Sequence, residues 1–226
     1  MKNAKILLAI SLVLAMVFAL CACSVELGGE ETWEYSADDK EGTVQLFNDF
    51  FAETFKNTNQ TVTANSEGKD QFVETIDGTS DYATYSESGA ETWSFIKDDE
   101  YIYAMTGEDT KYYTVSEEYY GYGYFAYKRN LDFFDMLPEE GITYSCEVKG
   151  SSKDGSSNST LTLEVKNGDE GSITINASSK DDLVDTITLS STQEGATVNT
   201  TMTIVYGSAS VTTPDISDWP KEDFGD

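Results

Sequence analysis

From about Asn57 to Thr213 the chain alternates apolar and polar residues and meets a turn signal roughly every ten residues. Leu161, Leu163 and Val165 form one row, Ile173, Ile175 and Ala177 a second, and Val198, Thr200, Met202, Ile204 and Tyr206 a third. Between them stand mostly Thr, Ser, Asn, Glu and Lys. A strand sends successive side chains to opposite faces, so this pattern describes sheet with one buried and one wet face. The strands read as Gln60 to Ser66, Gln71 to Asp77, Tyr82 to Glu87, Glu91 to Lys97, Tyr101 to Thr106 and Lys111 to Val115. After an interruption come Ile142 to Lys149, Thr160 to Lys166, Ser172 to Ser178, Leu183 to Ser191, Val198 to Tyr206 and Ser210 to Thr213. Short separators such as Asp98-Asp99 and Gln193-Glu194-Gly195 make an antiparallel meander. The hairpin from Trp93 to Met105 is the clearest piece. Trp93, Phe95 and Lys97 share one face, and Tyr101, Tyr103 and Met105 share one opposite.

Roughly ten to twelve strands cannot stay flat, because twist makes a wide sheet curl, split or close. Its apolar face also needs cover. Val44, Phe47, Phe51 and Phe55 recur three and four apart, flanked by Leu46 and Phe50, which predicts an amphipathic helix from Thr43 to about Asn57. Thr43 or Gly42 would cap it, with Glu41 near its positive end. A second short helix or lid is expected from about Tyr124 to Leu137, stopped by Pro138. The fold class is therefore mainly β: a strongly curved antiparallel sheet or partly closed barrel, its mouth covered by one or two helices.

The N-terminus carries different information. Lys2 and Lys5 precede a run from Ile6 to Leu20 that is apolar apart from Ser11. This has the layout of an export signal and falls short of the roughly 18 apolar residues of a spanning helix. Leu20-Cys21-Ala22-Cys23 closes the run and resembles the bacterial lipobox. The resemblance implies a diacylglyceryl group on the Cys23 sulfur, cleavage before Cys23, and a protein held on the extracytoplasmic side of a cell membrane. Cys21 is the competing acceptor, but it would place bulky Leu20 beside the cut. The chain then divides into a signal peptide (1–22), a flexible tether (23–42), the sheet domain (43–214) and an acidic tail (215–226).

Composition narrows the chemistry. The net charge is −27, and loss of Lys2 and Lys5 makes the mature chain more negative still. Such a chain has little to offer a phosphate backbone or an anionic lipid head, so nucleic acid is not expected as a partner, and membrane attachment rests on the lipid. There is no histidine, which removes Ser-His-Asp triads, Cys-His pairs and His-ligated zinc. With Cys21 and Cys23 used at the N-terminus, Cys146 has no disulfide partner and reads as a small buried residue in a strand. The acidic pairs Asp98-Asp99, Glu117-Glu118, Glu139-Glu140 and Asp181-Asp182 read as solvated turns, and no stretch has the spacing of a calcium loop. No cofactor or resident metal is expected, nor an enzyme, and the chain reads as a monomer.

Element order supplies a further resemblance: a lipobox, a first amphipathic helix, a meander with the Trp93 to Tyr103 hairpin, a helical insertion, and a second strand run ending at Val211-Thr212-Thr213-Pro214. From about Thr43 to Pro214 this resembles the LolA-like superfamily, which includes the periplasmic lipoprotein carrier and the mycobacterial LppX-type lipoproteins. Members hold acyl chains inside a curved sheet. The resemblance implies an acyl chain or other apolar ligand here, with Phe47, Phe51, Trp93 and Phe95 as pocket candidates. The alternative is a surface interaction module with no ligand cavity, making contact through Tyr119, Tyr120, Tyr122 and Tyr124, which sit among glycines. Labelled palmitate should enter the wild-type chain and not Cys23→Ala, and mass spectrometry of the mature N-terminal peptide should show a modified Cys23. A start elsewhere, or an unmodified Cys23, would sink the anchor.

Overall fold

The computed structural model describes residues 30–66, 69–77, 81–86, 91–107, 110–116, 141–168 and 171–223. The expected signal peptide, Cys23, the Tyr-rich segment and the second helix lie outside the described residues. The fold is mainly β, with one helix, α1 (Lys40–Lys56), among the described residues. The strands are β1 (Glu31–Ala37), β2 (Asn59–Ser66), β3 (Lys69–Asp77), β4 (Asp81–Ser86), β5 (Glu91–Lys97), β6 (Glu100–Met105) and β7 (Lys111–Val115). They continue with β8 (Ile142–Lys153), β9 (Ser156–Asn167), β10 (Gly171–Lys180), β11 (Leu183–Gln193), β12 (Ala196–Tyr206) and β13 (Lys221–Glu222). All 13 belong to one sheet in the order β1-β8-β9-β10-β11-β12-β2-β3-β4-β5-β6-β7-β13. Neighbours are antiparallel except β13, which runs parallel to β7. The curved sheet stays open, with β1 and β13 as its two edges, so the partly closed barrel is not formed.

Two-residue turns set the registers. Asp98 and Asp99 both have positive φ, as do Asp154 and Gly155, Asp181 and Asp182, and Glu194 and Gly195. Paired positive φ values match the twist of the flanking strands, which explains the runs of Asp, Glu and Gly at these points. A two-residue turn pairs Lys97 with Glu100, so Trp93 faces Ala104 and Phe95 faces Ile102. Tyr101 and Tyr103 therefore point to the other side of the sheet from Trp93 and Phe95.

Three boundaries differ from the sequence reading. The segment read as tether contains β1, which pairs with β8 from Glu31↔Ser152 to Ala37↔Cys146. Its acids suggested solvent, yet Trp33, Tyr35 and Ala37 keep the period of two and share one face. The helix starts earlier than Thr43 because Asp39 is its cap, accepting a hydrogen bond from the Gly42 amide at 2.7 Å. Ser210 to Thr213 forms no strand. There the chain is held by side chains: Asn59 Nδ2 donates to Ala209 O at 3.1 Å, the Ala209 amide donates back to Asn59 Oδ1, and the Val211 amide donates to Asp77 Oδ2 at 3.2 Å. The segment then crosses the sheet and delivers β13, so part of the acidic tail is structured. Lys111 Nζ meets Glu222 at 3.0 Å there.

Two apolar clusters form, one on the inner face beneath α1 and a smaller one on the opposite face, where Trp93 pairs through Ala83 with Thr75 rather than with Ile76. The larger joins Phe47 and Phe51 of α1 to Val62, Ala64, Ile76, Cys146, Val148, Leu161, Leu163, Ile175, Ile187 and Met202. Phe51 is fully buried, with its ring 4.6 Å from Phe47 and stacked 5.3 Å from Phe55. The smaller cluster puts Ile216 and partly buried Trp219 over Trp93, Phe95, Ile102 and Ala104. One polar node locks α1 to the sheet. Thr54 Oγ1 accepts from the Val184 amide at 2.8 Å, beside a register shift at Ser178/Ser179, while the Tyr206 hydroxyl donates to Val184 O. Gln60 Nε2, also buried, donates to Asn57 O at 2.8 Å and helps to close the helix end.

Because Thr54 is fully buried, Thr54→Val should lower the free energy of unfolding by about 1–3 kcal/mol in a urea titration, by leaving the Val184 amide without an acceptor. Burial pushes the Tyr206 hydroxyl up to about 12 from its ordinary 10.0. Its neutral form is favoured in the fold, so its contribution is complete below pH 10.0 and is lost as pH rises towards about 12. Tyr206→Phe should therefore flatten the alkaline loss of stability in that window.

Candidate functional site

The registers arrange the inner face in rungs that cross four strands. Val148, Leu161, Ala177 and Ile187 make one, and Cys146, Leu163, Ile175 and Leu189 the next. All but half-buried Leu189 are closed off from solvent, under or beside α1. The following rung is Tyr144, Val165, Ile173 and Ser191, and the last is Ile142, Asn167, Gly171 and Gln193. Here the cover thins. Ile142, Tyr144 and Ile173 are half-buried, and Ser191, Asn167 and Gln193 are exposed.

These last two rungs form a groove of about 230 Å³, lined by Ile142, Val165 and Ile173 and rimmed by Asn167, Ser191, Thr192 and Gln193. Gly171 is part of its wall. A Cβ there would come within 2.7 Å of Thr192 O, so only glycine allows this close strand contact. The Tyr144 hydroxyl, next to Val165 on its rung, is buried with no hydrogen-bond partner among the described residues. The arrangement can hold apolar groups on its floor and accept hydrogen bonds at its rim. Among the described residues no cluster of His, Cys, Asp or Glu could hold a metal ion.

The pocket candidates named from the sequence fall in two places. Phe47 and Phe51 lie in the larger cluster and Trp93 and Phe95 in the smaller. The structure brings each pair together but does not bring the pairs to one another, and none of the four borders the groove. Cys23 lies outside the described residues. Cys146 is 2% exposed, and burial pushes its thiol up to about 11. Asp98, Asp99, Asp181 and Asp182 are turn residues. The groove residues were visible as apolar positions of their strands. What the sequence did not show is that the helix stops short of them. Glu74 was also passed over: it is fully buried on the inner face opposite Val62, and it is partnered.

No family model matches the chain, and no curated protein or solved structure matches it significantly. No helix among the described residues is long and apolar enough to cross a membrane.

A buried thiol with a raised pKa has little thiolate at neutral pH. Cys146 in the folded chain should resist iodoacetamide at about pH 8 and react within minutes once urea unfolds the protein. Rapid labelling of the native chain would show that the inner face opens near β8.

Proposed function

We propose that this chain is a lipid-anchored extracytoplasmic protein that takes an apolar ligand, an acyl chain or a group of similar shape, on the inner face of its curved sheet. The observation that supports this reading is the groove itself: two rungs of the inner face, centred on Ile142, Val165 and Ile173, that α1 leaves without full cover. Its volume of about 230 Å³ is below the roughly 300–1,000 Å³ of a drug-sized site, which suits one hydrocarbon chain better than a ring system. Each methylene withdrawn from water contributes about 0.8 kcal/mol, so even a short stretch of chain gains usefully. The polar rim of Asn167, Ser191 and Gln193 can meet the polar end of such a molecule. The lipobox at Cys23 and the acidic surface fit a body tethered beside a membrane rather than adsorbed to it.

Ile173→Asp tests the reading, because Ile173 is half-buried on the groove floor. A charge on the floor should weaken uptake of a fluorescent fatty acid by about tenfold or more, with circular dichroism unchanged. Co-purifying acyl species, found by lipid mass spectrometry of the wild-type chain, should be depleted in the variant. Unaltered uptake by a folded Ile173→Asp chain would remove the groove as the site.

A further inference from the structure

The opposite end of the inner face has a different character. The rung above Val148, Leu161 and Ala177 consists of Trp33, Gly150, Ser159, Ser179 and Val184, paired in register across five strands. Where lower rungs carry Val, Leu and Ile, its three central positions carry Gly, Ser and Ser. The small side chains leave a hollow of about 330 Å³ beneath the edge of α1, lined by Trp33, Phe50, Ala52, Ser159 and Ser179 with the carboxylates of Asp49, Glu53 and Asp182. Trp33 lies so close to Gly150 that a Cβ there would come within 2.2 Å of its ring, which fixes the indole as one wall.

Charge and polarity at this place point one way. Three carboxylates surround the hollow and no basic residue lines it. Among the described residues, Asp49 accepts only from a neutral amide, Gln45 Nε2, at 2.9 Å. Glu53 meets Lys56 at 2.6 Å in a solvent-exposed pair, which a competing cation can replace at little cost. Ser179 is 7% exposed, it lines the hollow, and its hydroxyl makes no hydrogen bond among the described residues. A hydroxyl on a nearly buried side chain at the wall of the hollow can hydrogen-bond a molecule that enters it. Indole, phenyl ring and carboxylates together make a setting for an organic cation, whose charge meets the acids while its carbon-bound surface meets the rings.

We propose that this hollow binds a small alkylammonium compound, free in solution, between Trp33 and Phe50, with Asp49 and Asp182 as its charge partners and Ser159 and Ser179 beneath it. It is separate from the groove at Ile173 and does not depend on that groove's ligand.

The test is calorimetric titration of the full chain with choline and with its neutral isostere 3,3-dimethyl-1-butanol. Choline should bind at least about tenfold more tightly than the isostere, since only it has the charge that the rings and carboxylates recognise. Asp182→Asn keeps a residue suited to the positive φ of that turn, and should weaken choline severalfold while leaving the isostere unaffected. Ser179→Val should fill the hollow and abolish choline binding with no loss of thermal stability. Equal affinities for the two probes, no binding of choline, or choline binding indifferent to both variants would overturn the proposal. The last result would mean diffuse counter-ion attraction to an acidic chain.

Discussion

A single wide sheet has two faces, and water must be kept from the apolar part of each. Most of the structure follows from that requirement. Among the described residues, one helix and one extended segment cover a sheet of 13 strands, and they lie on opposite faces of it. The phenylalanine stripe of α1 lies over the inner face of the first half, and the segment ending in Ile216 and Trp219 lies over the other face at β5 and β6. Each phenylalanine taken from water contributes about 1.5–3 kcal/mol, so a helix presenting Phe47 and Phe51 inward, with Phe50 and Phe55 beside them, is a strong cover for its length.

Apolar burial has no direction, so it cannot by itself fix where the helix lies on the sheet. The polar contacts do that. Thr54, Val184 and Tyr206 fasten the C-terminal end of α1 to β11 and β12 at one place, and Asp39 fixes its start just after β1. The helix is thereby held at an angle across the rungs. That placement leaves two partly covered regions, the groove at Ile142 and Ile173 and the hollow at Ser159 and Ser179. Both exist because the helix ends where these hydrogen bonds hold it, and they differ because the rungs beneath them differ. One floor is branched aliphatic with a polar rim. The other is glycine and serine within a ring of acids and aromatic side chains.

The strands were legible because their signal is local. Glu91 to Lys97 and Lys111 to Val115 were read with the bounds they have, and the strands after Ile142 extend a few residues further than alternation alone suggested. The regular turns carry their positive-φ chemistry in the sequence, so hairpin order was legible too. β1 was misjudged because acidic composition was weighed above the alternation of Trp33, Tyr35 and Ala37. β13 and the strap before it left no trace, since two residues in parallel register have no period to detect. Their positions depend on Asn59 and Asp77, far away in sequence.

The sequence alone determined that the chain is mainly β, that its strands are antiparallel and joined by tight turns, that one helix brings an aromatic face, and that histidine chemistry is excluded. Each rests on residue identity or on spacing within a few positions. Only the tertiary structure decided that the sheet stays open, that Phe47 and Phe51 are separated from Trp93 and Phe95, and which rungs the helix leaves uncovered. Those outcomes depend on registers summed across many strands and on hydrogen bonds between residues more than 100 positions apart, such as Thr54 with Val184. Neither has a local signature that a pattern of side chains could reveal.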